Sequence, residues 1–130
     1  STTKYFDGHN ATVGGAIALD DEKLAQQLFL NRKTLGLNQK PFEAWLTLQG
    51  IQTLSLRLHQ QSQSALRLAT WLEGHERIQS VSYPGLVSHP QYALANAQQE
   101  AGGAIIACEI AGGFNAAKQF GDIFVHSDDT

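Results

Sequence analysis

The chain predicts an α/β or α+β organisation, because short apolar runs alternate with longer stretches of helical periodicity. Residues 13–19 and 104–110 are apolar runs bounded by glycines, with the length and composition of buried strands. Between them apolar residues return every third or fourth position, the spacing of helices that bury one face. The composition agrees: 42% of the 130 residues are apolar and 16% are charged, a balance that builds a core and excludes intrinsic disorder. That length holds one compact core and not two well-developed ones.

Residues 1–15 are small, polar and dotted with Gly8, Gly14 and Gly15, and read as a loop. The run at 13–19 is the first strand. Asp20 or Asp21 then caps a helix with apolar positions at Leu24, Ala25, Leu28, Phe29 and Leu35. Arg32 and Lys33 suit its negative end, and Gly36 stops it. Pro41 fits the first turn of a second helix, carrying Phe42, Trp45, Leu46 and Leu48 until Gly50 interrupts it. The longest helical pattern covers 53–73, with Gly74 as its terminal glycine. Its middle, 59–64, is polar on every side, which predicts a helix bridging two packed bodies.

Ile78, Val81 and Tyr83 lead into Pro84-Gly85, a short strand closed by a turn. His89-Pro90 opens an amphipathic helix over 91–101, ended by Gly102-Gly103; 104–110 is a further apolar strand, and 115–120 adds a turn or two of helix. The tail, 125–130, is short, acidic and frayed.

Nine Lys and Arg against twelve Asp and Glu give a net charge of -3, so there is no basic field for nucleic acid or anionic membrane. A single cysteine, Cys108, forms no internal disulfide and fits a reducing cytoplasm. No Cys/His pairs have metal spacing, and no run reaches the roughly 18 apolar residues of a membrane span. The absence of any Met, even at position 1, predicts a processed chain or a segment of a longer one.

The N-terminus carries the chemistry. In Ser1-Thr2-Thr3-Lys4, hydroxyls and backbone N–H groups can hold a phosphate while the lysine amine reaches a carbonyl carbon. On those residues alone, a solvated polar terminus is the favoured reading. Resemblance adds more. Ser1-Thr2-Thr3-Lys4-Tyr5, Gly8-His9-Asn10 and Gly14-Gly15-Ala16 resemble the cofactor-lysine segment of the pyridoxal-phosphate enzymes of cysteine and methionine metabolism, the cystathionine γ-synthase and γ-lyase family. In the same order, 41–50, Thr53-Leu54 and Leu56-Arg57 resemble the family's helix pair after the lysine. Val81-Ser82-Tyr83-Pro84-Gly85-Leu86 with Ser88-His89-Pro90 resembles its "YPGL…SHP" element.

The resemblance implies pyridoxal 5'-phosphate (PLP) as cofactor, with Lys4 as the Schiff-base lysine and proton carrier and Ser1 and Thr3 as phosphate-binding hydroxyls. It implies a segment of a fold-type I, aspartate aminotransferase-like α/β enzyme. Residues 1–55 would end the large PLP-binding domain, and 56–130 would supply the linking helix and the beginning of the C-terminal domain. The family commonly has Ser-Asp where this chain has Asn10-Ala11, Arg where it has Gln49, and Ser-Phe near Cys108-Glu109. Family members extend well beyond both ends. Upstream they carry the glycine-bearing phosphate loop, a stacking tyrosine, the aspartate at the pyridine nitrogen and a Tyr/Arg pair for the neighbouring subunit. Downstream they carry the arginine for the substrate carboxylate. Alone, then, the segment is expected to be inactive.

The expected function is a lyase or transferase acting by γ-replacement or elimination on a small amino-acid substrate, cystathionine or an activated homoserine ester. The resemblance implies a homotetramer for the full-length protein. The competing function is a non-catalytic truncated relative that acts as an interaction domain. Trp45 and Trp71 read as core or subunit-interface anchors, Cys108 as a buried inert thiol, and His9 as a structural, hydrogen-bonding histidine. His59, His75, His89 and His126 read as surface or capping residues.

Overall fold

The computed structural model describes residues 1–125. In chain order these are α1 (Glu22–Leu35), α2 (Pro41–Gln52), α3 (Leu54–Glu73), β1 (Ile78–Ser82), α4 (Tyr92–Gln98), β2 (Ala107–Ile110) and α5 (Gly113–Val125). They divide into two compact units, Ser1–Arg57 and Leu58–Thr130, with the division falling inside α3. The acidic tail beyond 125, with His126, lies outside the described residues.

In the first unit, α1 forms where its caps place it. The Asp21 carboxylate accepts the Leu24 N–H at 3.0 Å, and Gly36 ends the helix in the left-handed region at φ 70°. Pro41 opens α2 as expected, but Gly50 does not interrupt it. The helix runs through to Gln52 because Gly50 is buried against the Phe6 and Asp7 carbonyls, where any Cβ would collide. The tertiary close approach outweighs the helix-breaking tendency.

The strand expected at 13–19 is not formed. A strand needs a ladder partner, and among the described residues only β1 and β2 pair. Val13 and Ile17 stand 78% and 75% exposed, so the apolar pattern of this run is unpartnered among the described residues.

The second unit folds around Ala65, Ala69, Tyr83 and Leu86, with Val81 and Ile106 packed against them. Tyr83 is fully buried, and its hydroxyl donates to the Gly103 carbonyl at 2.9 Å and the Ser62 carbonyl at 3.3 Å. Within the polar stretch 59–64, Ser62 is buried, and it is its main-chain carbonyl that accepts from Tyr83. β1 and β2 pair antiparallel, Val81 opposite Cys108 and Ser82 opposite Ala107, with a bulge between Ile78 and Ser80.

Three expected elements differ in extent. The helix predicted over 91–101 closes to Tyr92–Gln98, the strand over 104–110 shortens to Ala107–Ile110, and the last helix lengthens to Gly113–Val125. A two-stranded ladder has one covered face at most, so Cys108 is exposed where a buried thiol was expected, and Ile105 is 74% exposed. Trp45 and Trp71 are 53% and 60% exposed, and neither is a core residue here.

Candidate functional site

Thr3 and Lys4 lie on a turn that closes on its own backbone, and Ser1 precedes it. The Asp7 N–H donates to the Thr2 carbonyl at 3.0 Å, and the Gly8 N–H donates to the Lys4 carbonyl at 2.8 Å. Gly8 permits this closure with φ 77°, a conformation that L side chains rarely adopt. Asn10 follows at φ 54°, in keeping with the tolerance of asparagine for the left-handed region.

A second set of bonds stitches the turn to Gly14. The Thr2 N–H donates to the Gly14 carbonyl at 2.9 Å. The Thr3 hydroxyl accepts the Gly14 N–H at 3.1 Å and donates to the Gly14 carbonyl at 3.4 Å. Ser1 Oγ accepts the Thr3 N–H at 3.3 Å. Lys4 and Ser1 are exposed, Thr3 is half-buried, and Thr2 is buried with its hydroxyl lacking a partner among the described residues. The amine thus rises from a hydrogen-bonded main chain, three residues after Ser1, whose hydroxyl keeps its proton to donate to an anion.

Asp7, which the sequence reading passed over, anchors the far side of the turn. Its carboxylate accepts the Ala11 N–H at 2.7 Å and the His9 N–H at 3.3 Å. Burial works against ionisation, but the N–H groups of Ala11, His9 and Thr12 and the Thr12 hydroxyl together hold the carboxyl below its ordinary value. His9 Nδ1 lies 3.0 Å from the Asp7 carbonyl, so this histidine serves the loop's own hydrogen bonding, as expected. The only sequence signal for Asp7 is the Asp-Gly dipeptide, which favours a turn whose side chain bonds main-chain groups just ahead.

Two further residues brace the turn from the helices. Gly50 of α2 abuts the Phe6–Asp7 backbone, and Arg57 in the first turn of α3 donates from Nη2 to the Tyr5 carbonyl at 3.0 Å. A polar cluster supports the same region: Thr12 Oγ1 and Thr47 Oγ1 lie 3.3 Å apart, and Gln39 donates to Thr47 at 3.0 Å. The fully buried side chains here are polar because they face the main chain of an irregular loop, whose carbonyls and N–H groups need partners. Among the described residues no cluster of His, Cys, Asp and Glu could hold a metal ion.

A family model described as Cys/Met metabolism PLP-dependent enzyme matches residues 1–126. The chain belongs to this family. Other Cys/Met metabolism PLP-dependent enzymes lie close in sequence. A probable cystathionine gamma-synthase of Herpetosiphon aurantiacus is 41% identical over 118 residues, which are 91% of this chain and 37% of that protein. The O-succinylhomoserine sulfhydrylase of Pseudomonas aeruginosa is 43% identical over 122 residues, 94% of this chain and 30% of the relative.

In structure, the chain is similar to the cystathionine gamma synthase of Xanthomonas oryzae pv. oryzae, crystallised with aminoacrylate and cysteine. The TM-score is 0.88 at 44% identity, covering 92% of this chain and 31% of that one. Its fold is therefore a segment of the fold-type I architecture that the resemblance implied. The chain spans about a third of the length of the relatives it matches.

Proposed function

We propose that this chain carries the cofactor-lysine segment of a PLP-dependent lyase or transferase of sulfur amino-acid metabolism. Lys4 is the residue that joins pyridoxal 5'-phosphate, and Ser1 and Thr3 are the hydroxyls that bind its phosphate. The observation that carries this reading is the braced turn that bears Thr3 and Lys4 and follows Ser1, in a chain of this family.

The donor set suits the cofactor. Ser1 Oγ accepts from Thr3 and keeps its own O–H to donate; Lys4 offers an exposed amine toward an aldehyde. The unpartnered Thr2 hydroxyl adds a buried donor to the same turn. When bound, PLP supplies the electron sink. The chain's own residues bind the phosphate through Ser1 and Thr3, hold the lysine main chain through Asp7, Gly50 and Arg57, and carry a proton at the substrate Cα through the Lys4 amine.

The substrate is a small amino acid, either cystathionine or an activated homoserine ester, and the reaction is γ-replacement or elimination. Relatives named for cystathionine synthesis and homoserine-ester sulfhydrylation support that class. Residues 1–55 close the PLP-binding large domain, and 56–130 supply the linking helix and the beginning of the C-terminal domain; the two compact units support this division. A cytoplasmic homotetramer is the assembly. Support comes from Phe42, Trp45 and Trp71, which are exposed and await further protein, and from the free Cys108 thiol. No helix among the described residues is long and apolar enough to cross a membrane.

Borohydride reduction tests the assignment. In the polypeptide that carries this chain, incubated with PLP, reduction should leave a pyridoxyl group on Lys4, and the Lys4→Ala variant should lose it. A label on another lysine refutes the role of Lys4. A folded protein that takes no label favours the non-catalytic relative.

A further inference from the structure

We propose that Arg57 is a positioning residue for Lys4, its guanidinium clamping the main chain that carries the lysine. This rests on the reading of Lys4 as the cofactor lysine.

Arg57 lies 52 residues from Tyr5, yet its Nη2 donates to the Tyr5 carbonyl at 3.0 Å and to the Gly50 carbonyl at 2.7 Å. Its Nε donates to Thr53 Oγ1 at 3.0 Å, which fixes the plane of the guanidinium. The Lys4 carbonyl is already held by the Gly8 N–H. The two peptide groups that follow the lysine's Cα are therefore both pinned, one locally and one by Arg57. A single nitrogen thus joins Gly50, near the end of α2, to the turn.

The geometry also carries a cost that stability alone would not favour. Arg57 Nη1 is buried without a hydrogen-bond partner among the described residues, and the guanidinium occupies the space that a Cβ on Gly8 would need. An unsatisfied buried donor opposes folding. Displacing a reacting group by about 1 Å can cost on the order of a hundredfold in rate, so the fixing of this main chain bears directly on the reach of the Lys4 amine.

The test uses the complete polypeptide that carries this chain, as wild type, Arg57→Met, Arg57→Lys and Thr53→Val. Three quantities are read: the rate at which Lys4 bonds to added PLP, trapped by borohydride and mapped by mass; the pH midpoint of the bound chromophore; and amide exchange at Asp7 and Gly8. Arg57→Met should slow bond formation about tenfold or more, shift the midpoint and speed both amides. Arg57→Lys should restore part of the rate, and Thr53→Val should show a smaller loss. Wild-type rate and midpoint in Arg57→Met, with only the amides loosened, overturn the proposal and leave Arg57 a purely structural brace. If Arg57→Met does not fold, wild-type rates in both Arg57→Lys and Thr53→Val overturn it equally. A wild-type protein labelled away from Lys4 overturns the assignment of Lys4 and, with it, this role for Arg57.

Discussion

Asp7 is a carboxylate almost wholly removed from water, 1% exposed, three residues after the lysine. Burial raises the cost of its charge, and the main-chain N–H groups of Ala11, His9 and Thr12 with the Thr12 hydroxyl more than offset it, so its proton affinity in the folded chain is lowered. A carboxylate depressed on folding adds stability above its unfolded value, and that contribution is lost as pH falls through the folded value. Asp7→Asn should therefore melt at a lower temperature than wild type at neutral pH. The gap should close as the medium is taken into the acid range where Asp7 itself protonates. Thermal melts over a pH series decide this, and a gap that stays constant with pH would show that the charge is not what anchors the loop. Lys4, Ser1 and Thr3 were legible as residue types in a pattern. Asp7 and Arg57 were not, because their roles depend on which main-chain groups the folded loop turns toward them.

At the scale of elements, the contrast between α1 and α2 is informative. For α1 the local signals suffice: an aspartate cap, a basic last turn and a left-handed glycine agree with one another. For α2 the glycine signal points the wrong way, because the absent side chain is needed by a neighbour and not by the helix. Gly50→Ala forces a methyl group into the Phe6 and Asp7 carbonyls. It should cost about 1–3 kcal/mol in denaturant unfolding, although alanine is the better helix former. A neutral or stabilising effect would mean that the contact yields freely. The run at 13–19 illustrates the opposite limit. Its apolar composition was legible, but a strand exists only by virtue of its ladder, and the described residues supply no partner for it.

At the scale of the whole molecule, the two units differ in what they bury. The unit 58–130 has an apolar cluster around Tyr83, whereas the buried side chains of unit 1–57 are Thr2, Asp7, Thr12 and Thr47. Its large apolar groups stand outward: Phe29, Leu30, Leu35, Phe42 and Trp45 are each more than half exposed, and Phe42 stacks on Trp45 at 5.8 Å. Surface of this kind marks an interface. The 130-residue chain by itself should associate in a concentration-dependent way, and replacing Phe42 and Trp45 by serine should weaken that association. Light scattering over a dilution series measures both, and a chain that stays monomeric at all concentrations would remove the argument for a buried face.

The sequence by itself determined α1 with its caps, the presence of the other helices, the short β1 strand and its turn, the lysine with its hydroxyl neighbours, and the family, since those features rest on local chemistry in a fixed order. Tertiary structure alone decided that Gly50 stays inside a helix, that the Ser62 carbonyl accepts from Tyr83, that Cys108 faces out, and that Asp7 and Arg57 hold the lysine turn. Each of those outcomes depends on groups distant in the chain meeting in space, and periodicity along one segment does not record what lies across from it.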